Sequence, residues 1–283
     1  MSQPSIRRII QTVTGTPTTD GAGVRLTRLL GSGQLLQLDP FLLLDEFRSD
    51  SPDDYIGGFP SHPHRGFETI TYMKAGTFQH KDSTGNEALI DAGGVQWMTA
   101  GRGIIHSEMP MMTDGLVWGY QLWLNLPADR KMMDPGYQNI QGGDIPVVEH
   151  EGAIVRILAG EYGGQEAVTD SVIPLFYLDV TLEPAARFSH PVPPEMNAFL
   201  YVYDGEVTLG PEDDRQPGPT GQLLVLGPGD RASVRAGEHG TGFLIAGAQK
   251  LGEPIVRGGP FVMNTQEQLQ QAYLDYQRGV LTE

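Results

Sequence analysis

The chain contains no cysteine. Disulfides, thiolate metal sites and cysteine nucleophiles are therefore excluded. Basic residues are scarce: 19 lysines and arginines stand against 35 aspartates and glutamates, for a formal charge of −16 at pH 7. Nucleic-acid backbones need a basic face, so direct binding to DNA or RNA is not expected. The same balance disfavours anionic membrane surfaces and leaves a basic protein partner open. No segment approaches the roughly 18 consecutive apolar residues that span a bilayer. Residues 1–15 carry Arg7 and Arg8 but no apolar run of the signal-peptide kind. A cytoplasmic location is the default expectation, or a nuclear one in a eukaryote. Histidine is sparse as well, with seven in the chain.

Long helical periodicities are missing, whereas glycine (37) and proline (21) are plentiful. Short apolar–polar alternations separated by turn residues dominate, which predicts mostly β structure. A length of 283 residues allows two ordinary domains. Strand-like segments fill residues 24–126 and resume from residue 147, so the two halves read as one kind of object written twice. The expected division is a first barrel over residues 1–130, a connector over 131–146 that lacks periodicity, and a second barrel over 147–283. A helix is expected near the C-terminus, capped by Asn264 with Glu267 three residues on. Its apolar stripe would be Leu269, Ala272, Tyr273 and Tyr276, with Gly279 as the stop.

Three of the seven histidines sit in two short motifs. The first is His62-Pro63-His64-Arg65-Gly66-Phe67, and the second is Gly101-Arg102-Gly103-Ile104-Ile105-His106-Ser107-Glu108. A spacing of two puts His62 and His64 on one face of an extended strand, and does the same for His106 and Glu108. Three imidazoles and a carboxylate converging from neighbouring strands form a donor set suited to a divalent transition metal. If the strand continued unbroken through residue 73, Glu68, Ile70 and Tyr72 would share the histidine face, and Ile104 would line the same cavity. Trp97 and Met98 would either wall a pocket for a planar ligand or pack the barrel. Arg65 and Arg102 would either steer an anion or pair with carboxylates such as Glu68. His80, beside a turn, reads as a surface residue. His150, His190 and His239 have no partners at ligand spacing.

These motifs resemble the cupin pattern, in which two histidines, a glutamate and a downstream glycine match His62, His64, Glu68 and Gly76. A second glycine-rich motif matches Gly101, Gly103 and His106. The local text of residues 62–69, 96–110, 131–135 and 259–265 is similar to the pirin family over nearly the whole chain. That resemblance implies an all-β bicupin: two jelly-roll barrels face to face, a metal in the first only, and a C-terminal helix. It implies one non-haem Fe(II) held by His62, His64, His106 and Glu108. The general cupin pattern would use Glu68 instead, which is otherwise expected behind the ligands, holding a histidine or an arginine. The donor types alone also admit Mn, Co, Ni, Cu or Zn.

Two functions follow from the resemblance as expectations. One is quercetin 2,3-dioxygenase activity, the O2-dependent opening of a planar flavonol ring, with Glu108 as general base. The other is a metal- or redox-dependent regulator that binds a protein partner without turnover. A monomer is expected, because two fused barrels can cover each other's open sheets.

Overall fold

A computed structural model describes residues 5–283. Strands rich in Val, Leu, Ile, Phe, Tyr and Thr account for most of it, as β-branched and aromatic side chains suit a pleated surface. The chain divides into two compact units, each an antiparallel β-barrel.

The first unit comprises Thr16–Asp144 and Leu251–Glu283. Its seven-stranded sheet runs, edge to edge, through Gly136–Ile140, Val95–Thr99, Phe67–Ala75, Val117–Asn125, Phe41–Ser49, Val24–Leu30 and Thr16–Asp20. A four-stranded sheet of Phe59–His64, Ile104–Pro110, Phe78–Asp82 and Glu87–Ile90 completes the barrel. The hairpin Val256–Gly258/Phe261–Met263 and the helix Gln266–Gln277 pack around Phe261, Met263, Leu269, Ala272 and Leu281.

The second unit takes the described part of the first fifteen residues together with Ile145–Lys250. Strand Ile9–Thr14 pairs with Gln222–Leu226 at one edge of a nine-stranded sheet. Two long strands, Met196–Leu209 and Arg231–Gln249, carry that sheet around the barrel and bend at register shifts near Asp204 and Gly205. Buried Arg7 anchors the leading segment by donating to the carbonyls of Gly227, Val192, Pro193 and Met196.

The units thus follow a different division from residues 1–130 and 147–283. Both ends of the chain cross over: the leading strand supplies an edge of the second barrel, and the C-terminal hairpin and helix complete the first. Pattern along a chain marks strands but carries no information about which distant edge a strand will pair with. The stretch expected as connector also contains a strand, Gly136–Ile140, which pairs with Val95–Thr99. The helix is capped one residue later than expected, by Thr265. Its side chain accepts from the Gln268 amide while Gln268 reaches back to the Thr265 amide. Tyr273 and Tyr276 lie at the edge of the helix's buried stripe, with their rings against Phe261. Among the described residues no helix is long and apolar enough to cross a membrane.

Candidate metal centre

Phe59–His64 and Ile104–Pro110 are antiparallel neighbours, with His106 opposite His62 and Ile104 opposite His64. This register gathers the three imidazoles. Ring centroids lie 4.3 Å apart for His62 and His106, 4.7 Å for His62 and His64, and 5.0 Å for His64 and His106. One nitrogen from each ring lies within 4.8 Å of the others.

Two of the rings are oriented by backbone. His62 Nδ1 is 2.8 Å from the Pro60 carbonyl, and His64 Nδ1 is 3.3 Å from that of Pro260. A carbonyl can only accept, so Nδ1 is the donor, and in the neutral ring this leaves the Nε2 lone pair free for a metal. His106 is buried, and neither of its ring nitrogens has a hydrogen-bond partner. Two unmet polar atoms in one buried ring are costly. Coordination of an ion would satisfy one of them, so the donors present fit a divalent metal. Burial, reinforced by the neighbouring His62, holds His64 well below the ordinary histidine range. Burial also holds His106 well below it, reinforced by His64, His62 and His80. Both rings are therefore neutral at physiological pH, the form in which imidazole binds metal.

Glu108 lies outside this cluster of nitrogens. It is buried, and its carboxylate is held by two neutral donors: Thr71 Oγ1 gives a bond of 2.8 Å to Oε1, and Gln121 Nε2 one of 2.9 Å to Oε2. A register shift between His106 and Glu108 sets Glu108 opposite Phe59. Such a bulge re-aims the side chains on either side of it.

Glu68 does not share the histidine face. Gly66, at φ +88°, breaks the strand between His64 and Phe67, and the two pieces lie in different sheets. A Cβ at Gly66 would stand 2.0 Å from the Val262 carbonyl oxygen, so the turn requires glycine. Parity inverts across this break. Thr71 points towards Glu108 and Gln121, while Glu68 points the other way and accepts a 2.7 Å bond from Thr99 Oγ1. It holds neither a histidine nor an arginine. Arg65 instead donates to Asp275 and to the carbonyls of Arg102 and Leu281, while Arg102 pairs with Asp134. Both arginines thus pair with carboxylates, the second of the two expectations, but their partners come from the C-terminal segment and the 131–135 loop.

Burial raises the Glu68 carboxyl to about 7, against the lowering effect of Thr99 and Trp97. The folded value lies above the unfolded one, so the folded protein holds more protons between about pH 4.5 and 7. The stability of metal-free protein therefore falls as pH rises through that interval and levels off above it. The expected loss attributable to Glu68 is about 3 kcal/mol. Urea denaturation of wild type and Glu68→Gln between pH 5 and 8 measures it as the difference between the two curves. Parallel curves would refute the assignment.

His80 is not at the surface. It is completely buried, its Nε2 lies 2.9 Å from Asp82 Oδ2, and its ring stacks on Tyr137 at 4.5 Å and adjoins His106 at 5.4 Å. The covering ring comes from the strand missed in the expected connector. Trp97, Ile70, Tyr72 and Ile104 are buried in barrel packing, as is Met98 beside Ala100, Ile104 and Tyr137.

A cleft of about 590 Å³ opens at the histidines and is lined by His62, His64, Phe59, Leu43, Gln121 and Trp123, among others. The His64 and Trp123 rings meet at 5.2 Å, and the Arg257 guanidinium lies 4.7 Å over the Trp123 ring. Arg28 makes a bidentate pair with Asp45 in the same wall, at 2.9 and 2.7 Å. Sequence reasoning missed Trp123, Arg28, Asp45 and Arg257. The alternation of Gln121 with Trp123 is a visible signal for the first, while Arg257 is distant in sequence and carries none.

Two cupin barrels, one of them holding a three-histidine cluster of which His62 and His64 line a cleft, define this molecule as a bicupin with a candidate metal centre. Residues 23–124 match the pirin family profile, and residues 177–282 match that of the pirin C-terminal cupin domain. The chain is 46% identical over 277 residues to a pirin-like protein of Caulobacter vibrioides, covering 97% of this chain and 99% of the relative. It is 39% identical to human pirin over 274 residues, covering 96% and 93%. Among solved structures it is similar to quercetin 2,3-dioxygenase from Acinetobacter baumannii, with a TM-score of 0.89, 34% identity and coverage of 98% and 99%. The chain belongs to the pirin family.

Proposed function

We propose that this protein is a mononuclear iron dioxygenase of the quercetin 2,3-dioxygenase type. The observation that carries the reading is the convergence of His62, His64 and His106, the first two of which line an aromatic-walled cleft. Its likeness to the Acinetobacter enzyme supports the substrate class. His62 and His64 would hold the ion through Nε2, since Nδ1 of each is engaged by backbone, and His106 through either nitrogen. Glu108 is the fourth ligand or the general base, once it leaves Thr71 and Gln121. The bound ion supplies Lewis acidity towards a phenol and redox access to O2.

The chain's own residues do the rest. Trp123, Phe59 and Leu43 offer apolar walls for a flat phenolic ligand and displace water from it. Gln121 lines the cleft and donates to Glu108 Oε2, so release of that bond would free the carboxylate to accept the proton of a substrate hydroxyl. The bidentate Arg28–Asp45 pair neutralises the charge of its own wall, which suits an uncharged ring system.

Iron-loaded protein incubated with quercetin in air is expected to bleach the flavonol absorbance and release carbon monoxide. Both signals should vanish without O2 and in His62→Ala. Absence of turnover at one iron per chain would sink the enzymatic reading. Oxidation-state-dependent capture of a protein partner would then favour the regulatory one.

A further inference from the structure

The second barrel has its own cavity, of about 790 Å³, which the proposed chemistry does not use. It lies wholly within Ile145–Lys250. Its walls include Phe176, Tyr162, Met196 and Pro193, and His190 lines it from the strand Arg187–Pro191. His190 is 6% exposed. Its ring is surrounded by aromatic neighbours: Phe176 edge-on at 4.5 Å, Tyr162 tilted at 5.9 Å, and Phe188 stacked at 6.2 Å. Among the described residues no hydrogen bond to the His190 ring is found, and the groups that act on it are burial and the charge of Arg231. An imidazole with no protein partner, lining a cavity that its nitrogens can reach, offers a hydrogen-bonding group to a ligand.

The surroundings restrict what that ligand can be. Burial, helped by Arg231, lowers the His190 pKa to about 4, so the ring is neutral at physiological pH. A neutral imidazole accepts a hydrogen bond from a hydroxyl. Exposed Glu149 and Glu161 line the site with His150, and their two negative charges, set against the single charge of Arg231 near His190, disfavour carboxylates. The cavity is built rather than incidental. Arg7 holds the carbonyls of Pro193 and Met196 at one side, and Gly247 admits the Phe176 ring, since a Cβ there would stand 2.4 Å from it. His190 is no metal ligand in this arrangement. The group of ligand atoms close enough to hold an ion, among the described residues, is His62, His64 and His106.

We infer that the second barrel carries a separate small-molecule site for an uncharged planar aromatic bearing a hydroxyl group. The rings of Tyr162 and Phe176 flank the aromatic plane, and the hydroxyl donates to His190. This site is independent of the metal centre and of the chemistry proposed there.

The test uses full-length metal-loaded protein and three probes of equal ring size: 2-naphthol, naphthalene and naphthalene-2-carboxylate. Calorimetric titration is expected to give 2-naphthol a dissociation constant on the order of 100 µM. Naphthalene should bind about tenfold more weakly for want of the hydrogen bond, and the carboxylate more weakly still. His190→Ala should weaken 2-naphthol about tenfold, with His190→Gln recovering part of the loss and His62→Ala leaving this site intact. The imidazole signal of His190 in the NMR spectrum of wild-type protein should shift on addition of 2-naphthol, a readout that does not depend on any variant folding. Three results would overturn the assignment: no binding at millimolar probe, an unmoved His190 signal at saturation, or binding lost in His62→Ala but retained in His190→Ala.

Discussion

Replacing His106 with alanine is expected to lower iron content from one ion per chain to near zero in protein purified without chelator. His106 is buried between His62 and His64, and its two ring nitrogens have no protein partner. The side chain therefore has no structural hydrogen bond to lose. The variant should fold, because it removes an unsatisfied polar ring and leaves a small void. A void of that size costs about 2 kcal/mol, partly offset by the relief of burying those nitrogens. Affinity should fall by at least about 100-fold, since even outer-shell changes at metal sites cost 10- to 100-fold. Elemental analysis and competition with a colorimetric chelator give the number. Iron retained at full stoichiometry would mean that the histidine cluster is not the metal site.

Lys131→Met is expected to be the most destabilising single substitution in the first barrel outside its apolar core. Lys131 is 1% exposed, and its ammonium donates to the Gly66 carbonyl at 2.7 Å, to Asn125 Oδ1 at 2.6 Å and to the Val262 carbonyl at 3.0 Å. Burial pushes the amine down to about 7, opposed by the charge of Glu253. Its three protons nevertheless all find acceptors. Methionine fills nearly the same volume but leaves three buried oxygens unmet, at about 1–3 kcal/mol each. Release of the desolvation cost of the ammonium returns part of that, for a net loss of about 3 kcal/mol and a fall of roughly 6–12 °C in Tm. The site should suffer too. Gly66 follows His64 by two residues, and Val262 follows Pro260, whose carbonyl orients His64. Iron affinity is expected to drop about tenfold. Thermal unfolding of the metal-free protein and the chelator competition above separate the two effects. An unchanged Tm would show that the three bonds do not clamp the turn.

How much of this was legible beforehand depends on range. The histidine pairs were legible because strand alternation is a local rule: a spacing of two gives one face wherever the strand runs. The all-β class and the C-terminal helix followed from periodicity in the same way, and the cap moved by one residue because Thr265 and Gln268 satisfy the box equally well. Extending the parity from His64 to Glu68 failed at Gly66, where a single residue at positive φ turns the chain into a second sheet. His80 was misplaced for a different reason. Its cover, Tyr137, comes from a strand with little periodicity of its own, formed because Val95–Thr99 offers it an edge.

The amino-acid order alone determined the donor chemistry. Without cysteine, and with histidines spaced for strands, any transition metal here meets nitrogen and oxygen. Only the tertiary structure decided which neighbours hold Glu68 and Glu108, which rings wall the cleft, and which barrel each terminus completes. Local rules act through neighbouring bonds and repeat every two residues. Edge pairing joins residues up to 217 positions apart and the packing of Arg65, Lys131 and Pro260 around the site up to 216, and both are settled only when those segments compete for the same buried space.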